Sequence, residues 1–130
     1  MARTASGQPT DGEIEILQIL WQVGPASLGS VCDVLRSRRD VAATTVATML
    51  RLMSVKGLVK RSGSGRGATW AAAVSRDKTE RGMVRRMVEH VFDGSAERLA
   101  AHLVEGGALN DAQLAELRML IDARTKSRRK

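Results

Sequence analysis

Few residues of this chain are spaced for chemistry on a bound substrate. His90 and His102 stand twelve apart, with no cysteine or paired carboxylates at metal-ligand spacing beside them. Cys32, the single cysteine, falls at i+4 from Leu28 on an apolar helical face and reads as a small core residue, not a reactive thiol. The run "GSGRG", Gly63 to Gly67, has the glycines of a phosphate-binding loop. It lacks the following G-K-[ST] and helix, however, and leads into "ATWAAA", so it reads as a hairpin tip. No catalytic residue, metal ligand or cofactor is expected. What remains is a set of hydroxyls and cations. Thr44, Thr45, Ala47, Thr48 and Arg51 share one helical stretch, and Lys60, Arg61 and Arg66 surround the glycine-rich tip. Short side chains let a helix backbone approach base edges closely. Threonine offers a hydroxyl to base or phosphate and a methyl to thymine, while arginine reaches guanine or phosphate. These residues suit contact with a nucleic acid. The competing reading makes Thr44 a helix cap and each cation an ordinary solvated charge.

The elements that would position these residues are legible in the spacing. Thr10–Asp11–Gly12–Glu13 matches a capping box, predicting a helix to about Gln22 that stops at Gly24–Pro25. Ile16, Leu17, Leu20 and Trp21 form its buried stripe. A second helix starts at Ser27 as N-cap, buries Leu28, Val31, Cys32 and Leu35, and ends in the exposed run "RSRRD". In "TTVATMLRLMSVKG", Val46, Met49, Leu50 and Met53 fall at helical spacing, with Gly57 at the left-handed position that closes a helix. "LVKRS" and "ATWAAAV" then flank the glycine-rich turn as a β-hairpin, and "PAS", Pro25 to Ser27, offers a third strand edge. Three helices followed by a hairpin is the winged helix-turn-helix order, in a mainly α chain.

From Ser75 the composition shifts to helix formers. Val84, Met87, Val88 and Val91, with Met83, make an apolar stripe ending at Phe92–Asp93–Gly94. A short helix turns Leu99 and Leu103 inward and closes at Gly106–Gly107. The last helix opens on Asn110 and Gln113 as a second capping box, with Leu109 and Leu114 as its staple, and continues through Leu117, Leu120 and Ile121. Helices this short are marginal alone, and a twofold dimer covers their stripes most simply. The expected dimer interface is Val84, Met87, Val88, Val91, Leu99, Leu103, Leu114, Leu117, Leu120 and Ile121. The expected organisation is a flexible start over residues 1–9, a winged helix over 10–74, a helical dimerisation domain over 75–123 and a basic disordered tail over 124–130.

Charge divides along the same boundaries. Residues 1–75 hold nine Lys/Arg against five Asp/Glu, residues 76–123 seven against nine, and residues 124–130 five against none, within a total of +7. A basic front suits a polyanion, and a near-neutral back suits protein. With 43% hydrophobic residues the chain can bury a core, although Trp21, Trp70 and Phe92 are its only aromatics. The start "MARTASGQPT" is polar and carries no secretory pattern. The longest apolar run, "IEILQILWQV", is short and includes Glu15, so no membrane span and a cytoplasmic location are expected.

Taken together, several pieces resemble the penicillinase-repressor family (BlaI/MecI type) over roughly residues 10–123. They are "EIEILQILWQVGPASLGSVCDVL", "TTVATMLRLMSVKGLVKR", "GRGATWAAAVSRD", "VFDGSAERLAAHLVE" and "LNDAQLAELRMLID". The resemblance implies a winged-helix domain, a helical dimerisation domain, and a homodimer that represses transcription from palindromic operators in double-stranded DNA. It places Thr45, Thr48 and Arg51 at the DNA, makes Arg66 the wing arginine, and puts Trp70 where relatives usually carry tyrosine. It also implies relief of repression by proteolysis under a membrane sensor of β-lactams. The sequence departs from the family in places. Leu52 stands where a second basic residue is common, and Ser54–Val55 replace commonly acidic positions. His102–Leu103 aligns with the Asn–Phe cleavage pair, and the C-x-C motif of the copper-responsive branch is absent. A different class of function is a winged-helix protein-interaction module whose basic surface is incidental.

Overall fold

The computed structural model describes residues 9–129, so most of the expected flexible start lies outside the described residues. The chain divides into two compact units, Met1–Met83 and Val84–Lys130. In the first unit, α1 (Asp11–Val23) begins as its capping box predicts. Thr10 Oγ1 accepts from the Glu13 amide at 3.2 Å, and Glu13 Oε1 accepts from the Thr10 amide at 2.9 Å. α2 (Leu28–Arg36) is capped by Ser27, whose hydroxyl accepts from the Ser30 amide. α3 (Ala43–Lys56) leads into β1 (Val59–Ser62), a 3₁₀ turn over Gly65–Gly67, and β2 (Thr69–Ala72). β1 and β2 pair antiparallel. Ala26 adds the third strand edge as an isolated bridge, exchanging both main-chain bonds with Trp70 at 2.9 and 2.8 Å. This is a winged helix-turn-helix.

Its core is the set the helical spacing selects. Ile16, Leu17 and Leu20 meet Val31 and Leu35, then Val46, Leu50 and Met53, with Leu58 and Val59 sealing the hairpin side. Three expected core positions, Trp21, Leu28 and Met49, sit at its margin instead. Trp21 is half-buried because its indole N–H needs an acceptor, which it finds in the Val74 carbonyl at 2.9 Å. Ile19 is buried in the same helix. Met49 is also half-buried, and its Cε would lie 2.9 Å from a Cβ on Gly12, so the absence of that atom lets α1 and α3 approach.

The boundary between the units falls inside α4 (Arg76–His90) and not at Ser75. Lys78, Thr79 and Gly82, from the first two turns of α4, share a groove with Leu58 and Val74 of the first unit, which accounts for the shift. The second unit continues with α5 (Ala96–Glu105), capped by Ser95, and α6 (Asp111–Arg129). Asn110 and Gln113 form the expected capping box of α6, with bonds of 2.8 and 3.0 Å. The Phe92 and His102 rings stack at 5.4 Å, tilted, joining the turn after α4 to α5. α6 runs through residues 124–129, correcting the expectation of a disordered tail there. Straight-chain Arg and Lys are good helix formers, and cations in a last turn complement the helix dipole. Among the described side chains of this unit none is buried.

Candidate nucleic-acid interface

The candidate surface is built on α3, whose inner face carries Val46, Leu50 and Met53 into the core. That packing offsets the helix propensity lost at its β-branched threonines. The N-cap is Ala42, with no side-chain capping bond. Thr44 and Thr45 therefore lie inside the helix, exposed, and neither is spent as a cap. Thr48 and Arg51 are exposed farther along, and Ala47 is half-buried between them and α2's side of the domain. The helix closes at Gly57, φ 82°, with Gly57 N–H to Ser54 O at 3.1 Å and Leu58 N–H to Met53 O at 2.8 Å. The closure turns the chain sharply into β1, which brings the wing back alongside α3.

Strand alternation then sorts the wing cations. Val59 points into the core, so Arg61, two residues on, shares its face, while Lys60 stands on the opposite face. Arg66 sits at the tip, inside the 3₁₀ turn. A groove of 780 Å³ runs between α3, the start of α2 and the wing. Thr48 and Arg51 line one bank, Arg61, Arg66 and Trp70 another, and no acidic residue lines it. None of the three arginines forms an ion pair among the described residues. The structure thus brings Ala47, Thr48, Arg51, Arg61 and Arg66 together. Thr44 and Thr45 stand at the exposed entry of α3, and Lys60 faces away from the groove.

Other cations are committed to holding the domain together. Arg38 and Arg39, after α2, reach Glu15 of α1 at 3.4 and 2.9 Å, and Arg36 Nε donates to Val41 O at 3.2 Å. Lys56, in the last turn of α3, donates to both oxygens of Glu13 at 2.8 and 3.0 Å. Glu13 is the one buried charged residue among those described. Burial opposes its ionisation, yet the bonds from Lys56 and Thr10 outweigh that, and its carboxyl stays below the usual glutamate value. The capping-box pattern identifies Glu13 in the sequence. Nothing there signals that Lys56, 43 residues later, completes its shell.

Residues 9–123 match the family described as penicillinase repressor. The chain belongs to the penicillinase-repressor family. "Transcriptional regulator BlaI" of Mycobacterium tuberculosis (strain ATCC 25618 / H37Rv) is 32% identical over 114 residues, covering 82% of this chain and 83% of that protein. An "Uncharacterized 16.5 kDa protein in ptsI 3'region" of Latilactobacillus sakei is 24% identical over 115 residues, covering 88% and 79%. A MarR family protein structure from Bacillus stearothermophilus aligns with 94% of this chain and 76% of its own, at 19% identity and a TM-score of 0.47. The penicillinase-repressor family is one of transcription regulators, not of enzymes. As a penicillinase-repressor chain, the protein is a transcriptional repressor, and among its described residues no helix is long and apolar enough to cross a membrane.

In this penicillinase-repressor chain the expected dimer residues remain uncovered. Val84, Met87, Val91, Leu103, Leu120 and Ile121 are exposed, while Val88, Leu99, Leu114 and Leu117 are half-buried. Val104 and Met119, the latter 70% exposed, join the uncovered apolar set. The expected spacing passes over both, since neither falls on the stripe it selects.

Proposed function

We propose that this chain is a cytoplasmic homodimer that binds a palindromic operator in double-stranded DNA and represses transcription by occluding a promoter. The observation that carries this reading is the groove in which Arg51, Arg61 and Arg66 converge without a carboxylate. A cleft of one sign concentrates a polyanion, and phosphate contacts then fix the register of α3 on the duplex. The leading face of α3, Thr44, Thr45, Thr48 and Arg51, meets base edges in the major groove. The wing lies along the phosphate backbone. The uncovered stripes of the second unit support a dimer, since twofold symmetry matches a palindrome.

Selection of genomic fragments bound by the full chain tests this reading, followed by titration with salt. A single palindrome is expected, with affinity falling log-linearly in salt. One phosphate each for Arg61 and Arg66 in both protomers gives a slope of about −4. A shallow slope with no preferred sequence would instead support the protein-interaction module. Relief of repression by a sensor protease, at His102–Leu103, would require α5 to open locally, because that bond lies within the helix.

A further inference from the structure

We infer that Trp70 is a positioning residue for DNA binding: its ring holds the Arg61 guanidinium in the groove between α3 and the wing, ready for a backbone phosphate of double-stranded DNA. This role rests on the DNA-binding reading proposed above. Arg61 and Trp70 are direct partners across the hairpin. Both main-chain groups of Trp70 are engaged by Ala26, on the other side of its strand. Arg61 and Trp70 therefore form a non-hydrogen-bonded pair, the kind in which opposite side chains stand closest. The Arg61 Cζ lies 5.6 Å from the centroid of the indole ring, within cation–π range.

This arrangement suits an anion in three ways. First, Trp70 is held by strand pairing on both sides, to Arg61's strand and to Ala26, so the ring is a fixed platform. Second, a free arginine loses rotamer freedom when it binds, and stacking removes part of that loss beforehand. Third, with the guanidinium carbon over the ring, the N–H groups that point away from the indole remain for contact with phosphate oxygens. Arg61 has no carboxylate partner among the described residues, and none lines the groove, so its donors are not spent within the domain. Its place on β1, away from the leading face of α3, assigns it a phosphate and not a base edge.

The test is a double-mutant cycle on the full chain: wild type, Arg61→Ala, Trp70→Leu and both together. Each is titrated against the selected operator and a random duplex over a range of salt, with thermal unfolding as the check on folding. Trp70→Leu is expected to weaken binding roughly tenfold for a dimer. The loss should be equal on both duplexes, with a shallower salt slope. In the Arg61→Ala background the same change should add almost nothing. An equal loss with and without Arg61 would overturn the role, because Trp70 would then act through packing alone. If Trp70→Leu does not fold, Trp70→Phe keeps the packing. A loss of a few-fold that vanishes without Arg61 supports the role, and no loss, or one that persists, overturns it. Wild-type binding that Arg66→Ala weakens, while Arg61 and Trp70 show no coupling, defeats only the positioning role. Absence of salt-dependent binding by the wild type defeats the DNA-binding reading itself.

Discussion

Thr48 and Arg66 differ in what they can recognise, and the difference is measurable. Thr48 is a short side chain on the exposed face of a helix, with one hydroxyl and one methyl to distinguish base edges. Arg66 sits at the tip of a turn, and on the proposed reading its guanidinium meets phosphate, which is the same in every sequence. Thr48→Ala is therefore expected to change preference among operator variants by about 1–3 kcal/mol at one position while leaving binding to random DNA unchanged. Competition among variant duplexes reads this, and an equal loss on every duplex would remove Thr48 from base reading. Arg66→Ala should weaken all duplexes alike and reduce the salt slope by about two for a dimer, as binding isotherms at several salt concentrations would record. Leu52 adds a contrast on the same helix. It is 46% exposed, so this chain offers an apolar side chain and no cation at that point of α3.

At the scale of elements, α3 is anchored through its buried face, Val46, Leu50 and Met53. Its far end is held by the Lys56–Glu13 pair, which joins the last turn of α3 to the first turn of α1. Lys56→Met leaves a buried carboxylate short of a donor and should cost about 1–3 kcal/mol, visible in denaturant unfolding as a lower midpoint with an unchanged slope. The same pair predicts a dependence on pH. Because the folded carboxyl sits below its ordinary value near 4.5, its contribution is present above that value and lost as pH falls through the folded one. Glu13→Gln keeps the capping bond to Thr10 while removing the charge. The variant should be less stable at neutral pH, and the gap to wild type should narrow on acidification below about pH 4.5. A gap that stays constant with pH would show that Glu13 contributes no charge-dependent stability. Gly57 works at the opposite limit of chemistry, through backbone alone. At φ 82° a Cβ is strained, so Gly57→Ala should cost roughly 1 kcal/mol although no atom stands near it.

At the scale of the whole molecule, the two units solve the burial problem differently. The winged helix buries its own core, whereas among the described residues of the second unit no leucine, valine or methionine is fully buried. A surface of that kind on a small helical unit calls for a partner, and a second copy supplies a matching one. Leu117→Glu with Leu120→Glu is expected to give monomers in sedimentation or light scattering. Operator affinity should fall steeply, since the second half-site no longer binds as part of one molecule. An unchanged molecular mass would place the interface elsewhere. The basic end of α6 does not contribute to that apolar surface. Its charges carry the helix on through residues 124–129, beyond the last residue matched by the family.

Local chemistry was enough to determine the elements. Thr10 with Glu13, Ser27, Asn110 with Gln113, and Gly57 each act within a few residues, so caps and closures appear at the predicted places. The order of three helices and a hairpin, and the stripe Val46, Leu50, Met53, were legible for the same reason: both are short-range periodicities. Tertiary structure alone decided which cations are free. Arg38 and Arg39 look as available in sequence as Arg61 and Arg66, yet folding presents Glu15 to the first two and an open groove to the others. It also decided that Trp70 lies beneath Arg61 and that Lys56 closes on Glu13. These pairings depend on distance through space between segments far apart in the chain, and no local spacing encodes that distance.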